Sequence, residues 1–152
     1  GHWEGDLLAG SHNTWIATLV ERQTRFVLLV AVPHRDTATV VDALAVQMRT
    51  LPAQLARSLT WDRGLELAAH RRFSLATDLA VYFCDPYSPW QRGSNENTNG
   101  LLRQYFPKKT DLSVYTQTDL DAVAARLNGR PRKTLAYETP ADRFAAIVAS
   151  TT

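Results

Sequence analysis

Glu96 lies in a stretch that reads poorly as an ordinary surface helix: Tyr87-Ser-Pro-Trp-Gln-Arg-Gly-Ser-Asn-Glu-Asn-Thr-Asn-Gly100, a loop rich in turn residues that passes into a helical pattern. With Ser94 or Asn95 as N-cap, the pattern runs to about Phe106. It sets Thr98, Leu101, Leu102 and Tyr105 on one side and Arg92, Glu96, Asn99 and Arg103 on the other. A polar face at helical spacing is usually just solvated. Asn and Gly are poor helix formers, however, and three Asn beside one Glu bring a solvated helix nothing, whereas a helix facing a ligand would use them. Two more acids stand where a sheet could bring them near Glu96: Asp6 in the first apolar stretch and Asp62 at the end of Leu59-Thr-Trp-Asp62. Three carboxylates brought together would repel one another unless divalent cations neutralised them. Hard oxygen ligands of this kind suit Mg²⁺ or Mn²⁺.

The elements that must position these acids follow from periodicity. Trp3–Leu8, Trp15–Val20 and Phe26–Val32 alternate as strands joined by turns short enough for hairpins, a meander of three antiparallel strands. Asp36 or Thr37 caps a helix through Val40, Val41, Leu44, Met48 and Leu51, which Pro52 ends. Leu59–Asp62 reads as a short buried strand closing in Arg63-Gly64. Residues 65–77 read as a helix with Glu66 and His70 one turn apart, a surface pair, and Ala80–Cys84 as a fifth strand. After the Glu96 helix come a basic loop, Pro107-Lys-Lys109, a helix from about Thr118 to Asn128, the segment Gly129-Arg-Pro-Arg-Lys133 and a last helix after Pro140. This order predicts an α/β domain of the ribonuclease H-like fold, a mixed five-stranded sheet of three antiparallel then two parallel strands flanked by helices. Asp6 then falls in the first strand, Asp62 at the C-terminal end of the fourth and Glu96 on the helix after the fifth, and ligands of such sheets gather at carboxyl ends of strands.

Composition narrows the function classes. At 152 residues and 45% hydrophobic the chain is one domain with enough apolar residues for a full core. The lone Cys84 excludes a disulfide framework and fits a reducing compartment. His2, His12, His34 and His70 lack the paired spacing of a zinc finger. No apolar run approaches the roughly 18 residues of a membrane span, and no signal peptide is visible. The net charge of +2 is uneven: residues 100–133 hold seven Lys/Arg against three Asp/Glu, +4, which leaves −2 for the rest.

Four ordered blocks carry a resemblance. Gly1-His-Trp-Glu-Gly-Asp6, Thr60-Trp-Asp-Arg-Gly64 with Glu66, Ser88-Pro-Trp-Gln-Arg-Gly-Ser-Asn-Glu-Asn-Thr-Asn-Gly-Leu-Leu-Arg-Gln-Tyr105, and Arg130-Pro-Arg-Lys133 with Thr139-Pro140 span nearly the whole chain. They resemble the catalytic core of bacterial insertion-sequence transposases of the IS-thirty family, within the DDE transposase and retroviral integrase superfamily. The 33 residues between Asp62 and Glu96 match the spacing that resemblance implies. The helix-turn-helix region by which such proteins recognise transposon ends is missing, so residues 1–152 look like an excised catalytic core.

The resemblance implies that Asp6, Asp62 and Glu96 hold two Mg²⁺ or Mn²⁺ ions and serve both strand cleavage and strand transfer. By position, Trp90, Gln91 and Arg92 are expected in the loop beside the scissile phosphate, and Asn95, Asn99 and Arg103 on the DNA-facing side of the helix. Lys108, Lys109, Arg130 and Arg132 are expected on backbone phosphate. DNA is then the partner, a homo-oligomer the active form, and the bacterial cytoplasm, at the nucleoid, the location. A ribonuclease H-like nuclease that cuts without joining would share the three acids. A non-catalytic DNA-binding or dimerisation core would show no metal dependence.

Overall fold

Residues 1–32 form the predicted meander: β1 (His2–Ala9), β2 (Trp15–Glu21) and β3 (Val27–Val32), with β2 antiparallel to both neighbours. The structure is a computed structural model that describes residues 1–32, 37–61, 80–83 and 93–150, with the backbone alone at 37–39, 83 and 93–97. His12 and Asn13, both at φ 55°, make the tight turn between β1 and β2, the positive-φ geometry whose twist suits a hairpin. β4 (Ser58–Trp61) joins β1 and β5 (Ala80–Phe83) joins β4, both in parallel, giving the sheet order β3-β2-β1-β4-β5. This is the expected mixed sheet of the ribonuclease H-like fold. Asp62 and Cys84, expected to end β4 and β5, and the expected helix over 65–77 lie outside the described residues.

Helices cover the sheet on both faces. α1 (Thr37–Arg49) packs Val40, Val41, Leu44, Ala45 and Met48 against Trp3, Ala17, Leu19, Val30, Leu59 and Trp61. Trp3 is fully buried, donates its indole N–H to the Leu55 carbonyl at 2.7 Å and meets Phe144 edge to face at 6.1 Å. On the other face α2 (Gly93–Leu102), the turn that follows it and α3 (Gln117–Asn128) set Leu102, Phe106, Leu120, Ala124 and Leu127 against Leu8, Ile16, Val20, Val27 and Leu29. α4 (Pro140–Ser150) stacks Phe144 on Phe26 beside the first layer. No described helix is long and apolar enough to cross a membrane.

Two helix ends differ from expectation. α2 stops at Leu102 rather than Phe106: Gln104 and Tyr105 donate to carbonyls three residues back, at 3.2 and 2.9 Å, so the last turn tightens. Pro107 disfavours helical geometry at the residue before it. α1 likewise ends at Arg49, with Thr50 and Leu51 in three-residue turns ahead of Pro52.

β3 is an edge strand, yet its open side is closed. Asn128 accepts from the Val27 amide at 2.8 Å and donates to the Val27 carbonyl at 3.0 Å. Gln117 accepts from the Ala31 amide at 2.8 Å and donates to the Leu29 carbonyl at 2.7 Å. Two side-chain amides thus take the bonds a sixth strand would make.

Candidate active site

Side chains alternate across a strand, so Asp6 shares a face with Leu8, the face that α2 covers. Asp6 is half-buried, and both its oxygens are engaged: Oδ1 accepts from the Leu7 amide at 2.8 Å and Oδ2 from Asn99 Nδ2 at 3.0 Å. Four residues on, the Arg103 guanidinium donates to the Ala9 carbonyl at 3.1 Å. α2 therefore runs alongside β1 in the same direction, with Asn99 level with Asp6. Its seat is fixed by Thr98, Leu102 and Phe106, all buried at 1% exposure or less.

Glu96 lies on α2 three residues before Asn99, and residues three or four apart on a helix share a face. Asn99 and Arg103, two residues of the polar face expected from the sequence, turn to β1. The side chains of Asn95 and Glu96, and all of Asp62, Trp90, Gln91 and Arg92, lie outside the described residues. What is described is the residue before Asp62. β1 and β4 are in register with Glu4 opposite Thr60, and a methyl group added at Gly5 would fall 2.1 Å from two ring carbons of Trp61. The residue preceding Asp6 must therefore be glycine so that the indole preceding Asp62 can lie across the strand.

Among the described residues no three His, Cys, Asp or Glu side chains gather as a metal site. The donor set at Asp6 nonetheless suits a cation. Asn99 Oδ1 is buried with no hydrogen-bond partner among the described residues, an unmet acceptor on the same side chain that clasps the carboxylate, and a bound hard ion or its water would satisfy it. Two features had no sequence signal. The Asn99 amide engages Asp6. Glu4, on the same face as Asp6, is buried at 1% exposure with Arg22 Nε 3.8 Å from its Oε1.

The Integrase core domain family matches residues 1–89, more than half of the chain. The chain belongs to this family. This integrase core is similar to insertion-sequence transposases, which place it with catalytic cores of the IS30 type. It is 59% identical over 140 residues to Transposase InsI for insertion sequence element IS30A of Escherichia coli K12, covering 92% of this chain and 37% of that protein. It is 53% identical over 153 residues to the transposase for insertion sequence element IS1086 of Cupriavidus metallidurans, covering 100% and 45%. To the transposase for insertion sequence element IS4351 of Bacteroides fragilis it is 36% identical over 149 residues, covering 97% and 45%. The chain therefore spans less than half the length of these relatives.

The integrase core spreads its described cations beyond the Asp6 face. Lys108 and Lys109 are exposed in a loop that packs on the β1–β2 turn, where the Ser11 amide donates to the Thr110 carbonyl at 2.8 Å. Arg130 is held by Tyr105, donating to its hydroxyl at 2.5 Å with the guanidinium carbon 5.5 Å from the ring centroid. Arg132 is half-buried beside the β2–β3 turn.

Proposed function

We propose that this core carries the DNA chemistry of a transposase: cleavage of a strand at a transposon end, then transfer of the freed end into target DNA, with Asp6, Asp62 and Glu96 sharing two Mg²⁺ or Mn²⁺ ions. The observation that supports it most directly is the clasp of Asp6 by Asn99 from the helix face that carries Glu96. In cleavage, water oxygen bonds to phosphorus and the 3′-oxygen leaves, taking up a proton as a 3′-hydroxyl. In transfer, that hydroxyl oxygen attacks a target phosphodiester and another 3′-oxygen departs. When bound, divalent ions lower the pKa of the attacking group and neutralise charge on the phosphoryl oxygens. The chain's part is to hold its carboxylates in place: the Leu7 amide and Asn99 fix the rotamer of Asp6, and the Gly5–Trp61 contact ties the strand of Asp6 to the strand leading into Asp62. Trp90, Gln91, Arg92, Asn95 and Arg103 are assigned to the DNA near the reacting phosphate, and Lys108, Lys109, Arg130 and Arg132 to backbone phosphates further off. The assembly acting on paired ends is a homo-oligomer.

The test is a joining reaction with the full-length transposase, a pre-cleaved transposon end and a plasmid target in Mg²⁺ or Mn²⁺. Glu96→Gln keeps size and removes one ligand charge, so cleavage and joining are expected to fall together by several orders of magnitude. Asp62→Asn is expected to lose Mn²⁺ binding by calorimetry together with the metal-induced rise in melting temperature. Joining at the wild-type rate by Glu96→Gln would remove Glu96 from the site. Cleavage without joining by the wild type would leave a nuclease.

A further inference from the structure

Arg25 occupies the β2–β3 turn in the left-handed region, at φ 64°. Its neighbour Phe26 stacks on Phe144 at 4.2 Å with planes 13° apart, and Asn128 clasps Val27. A cavity of about 450 Å³ between them is lined by Phe26, Val27, Asn128, Gly129 and Ala141. The end of the turn and the end of α3, from which Arg130-Pro-Arg-Lys133 departs, thus line one cavity. That segment is tightly bonded: the Arg132 carbonyl accepts from the Leu135 and Tyr137 amides at 3.0 and 2.8 Å, and the Arg132 amide donates to the Glu138 carbonyl at 2.9 Å. Leu135 is buried beneath it. Ala136 and Tyr137 follow at φ 53° and 66°, and Tyr137 is left 70% exposed.

Burial, and then the Arg25 charge, push the Arg132 guanidinium below the ordinary arginine range. Among the described residues no carboxylate forms an ion pair with Arg25 or Arg132. Two crowded cations and two consecutive left-handed non-glycine residues each cost stability, which is the pattern of a site whose counter-charge arrives with a ligand.

We propose that Arg25 and Arg132 form a seat for a DNA backbone phosphate, with Tyr137 beside it to lie against a sugar or base. The seat rests on the reading of DNA as partner and adds a binding region distinct from the acids. Asp6 pairs with Thr18 and Trp3 with Glu21, so Asp6 stands three rungs, about 10 Å, from the residue whose carbonyl the Arg25 amide bonds. Lys108 and Lys109 belong to the other end of the same ribbon, and DNA touching both groups would run along the length of β1. The guanidinium fork fits the two non-bridging oxygens of a phosphodiester better than an ammonium does.

Binding of this chain to a non-specific 20-base-pair duplex, followed by fluorescence anisotropy over a range of salt, tests the seat. Arg25→Gln and Arg132→Gln are each expected to weaken binding several-fold at low salt and to flatten the slope of log affinity against log salt by about 0.9 for each phosphate no longer neutralised. Arg25→Gln should at the same time melt no lower than wild type, because it relieves repulsion; a purely structural role would give the opposite pair of results. Tyr137→Ala should weaken binding with the slope unchanged, since stacking releases no counterion, and undiminished affinity would remove Tyr137 from the seat. The double change Lys108→Ala with Lys109→Ala is measured in parallel. If it weakens binding while Arg25→Gln leaves affinity and slope intact, the seat is wrong and the DNA reading stands. If neither series changes binding, both are wrong.

Discussion

A single hydrogen atom, the side chain of Gly5, decides where the Trp61 indole can lie. The ring crosses β1 so closely that a Cβ at position 5 would fall 2.1 Å from two of its carbons, and the indole is buried at 3% exposure with little room to retreat. Gly5→Ala is therefore expected to lose about 1–3 kcal/mol of stability, the usual range for overpacking, read as a lowered denaturant midpoint. It should also weaken Mn²⁺ binding measured well below the melting temperature, since Trp61 leads directly into Asp62. Wild-type stability would show that the ring moves aside freely. The sequence marks Gly5 and Trp61 only as members of two blocks. That they touch is set by parallel pairing of strands more than fifty residues apart, which no local pattern encodes. Asn99 is a similar case: its face was legible from the spacing of Glu96, Asn99 and Arg103, but its bond to Asp6 depends on the depth at which Leu102 and Phe106 seat the helix.

The clamp on β3 belongs to the scale of elements. Gln117 and Asn128 are eleven residues apart on α3, close to three full turns, so both amides point the same way across roughly 16 Å, enough to reach from Val27 to Ala31. Replacing both by Ala strands two amides and two carbonyls of the edge. Each group left without a partner costs about 1–3 kcal/mol when buried, less where water reaches it, so the double variant should unfold at clearly lower denaturant. It should also self-associate, visible by sedimentation, because the exposed edge can pair with another copy. A double variant that stayed monomeric and stable would show that water replaces the amides without cost. The strands and α1, α3 and α4 were legible to within two residues because period-two alternation, caps and proline stops are local signals. The clamp was not, since Gln and Asn near helix ends look like ordinary surface or capping residues. The early stop of α2 was readable in principle from Pro107, whose reach to the preceding residue outweighs the apolar spacing of Tyr105 and Phe106.

For the whole molecule, response to acid is set partly at the β2–β3 turn. Glu21 is buried, which alone would raise its carboxyl, but the Thr24 hydroxyl and amide both donate to it at 2.6 Å and hold it below the usual glutamate range. A lowered folded value means that the ionised carboxylate stabilises the fold in full above the ordinary glutamate range, and that this contribution is lost as pH falls through the folded value. Thr24→Val should thus destabilise the chain at neutral pH by about 2 kcal/mol, the worth of a hydrogen bond to a charged group. The gap from wild type should narrow in acid, and a gap independent of pH would assign the loss to packing alone. The parallel pairing of β1 with β4 carries a consequence in time. The meander that holds Asp6 closes over contacts a dozen or so residues apart, whereas β4 joins β1 across 56 residues and Asn99 reaches Asp6 across 93. Loops of that length close late. A nascent or partly unfolded chain therefore holds Asp6 on its hairpin well before β4 pairs beside it and before Asn99 arrives to clasp it.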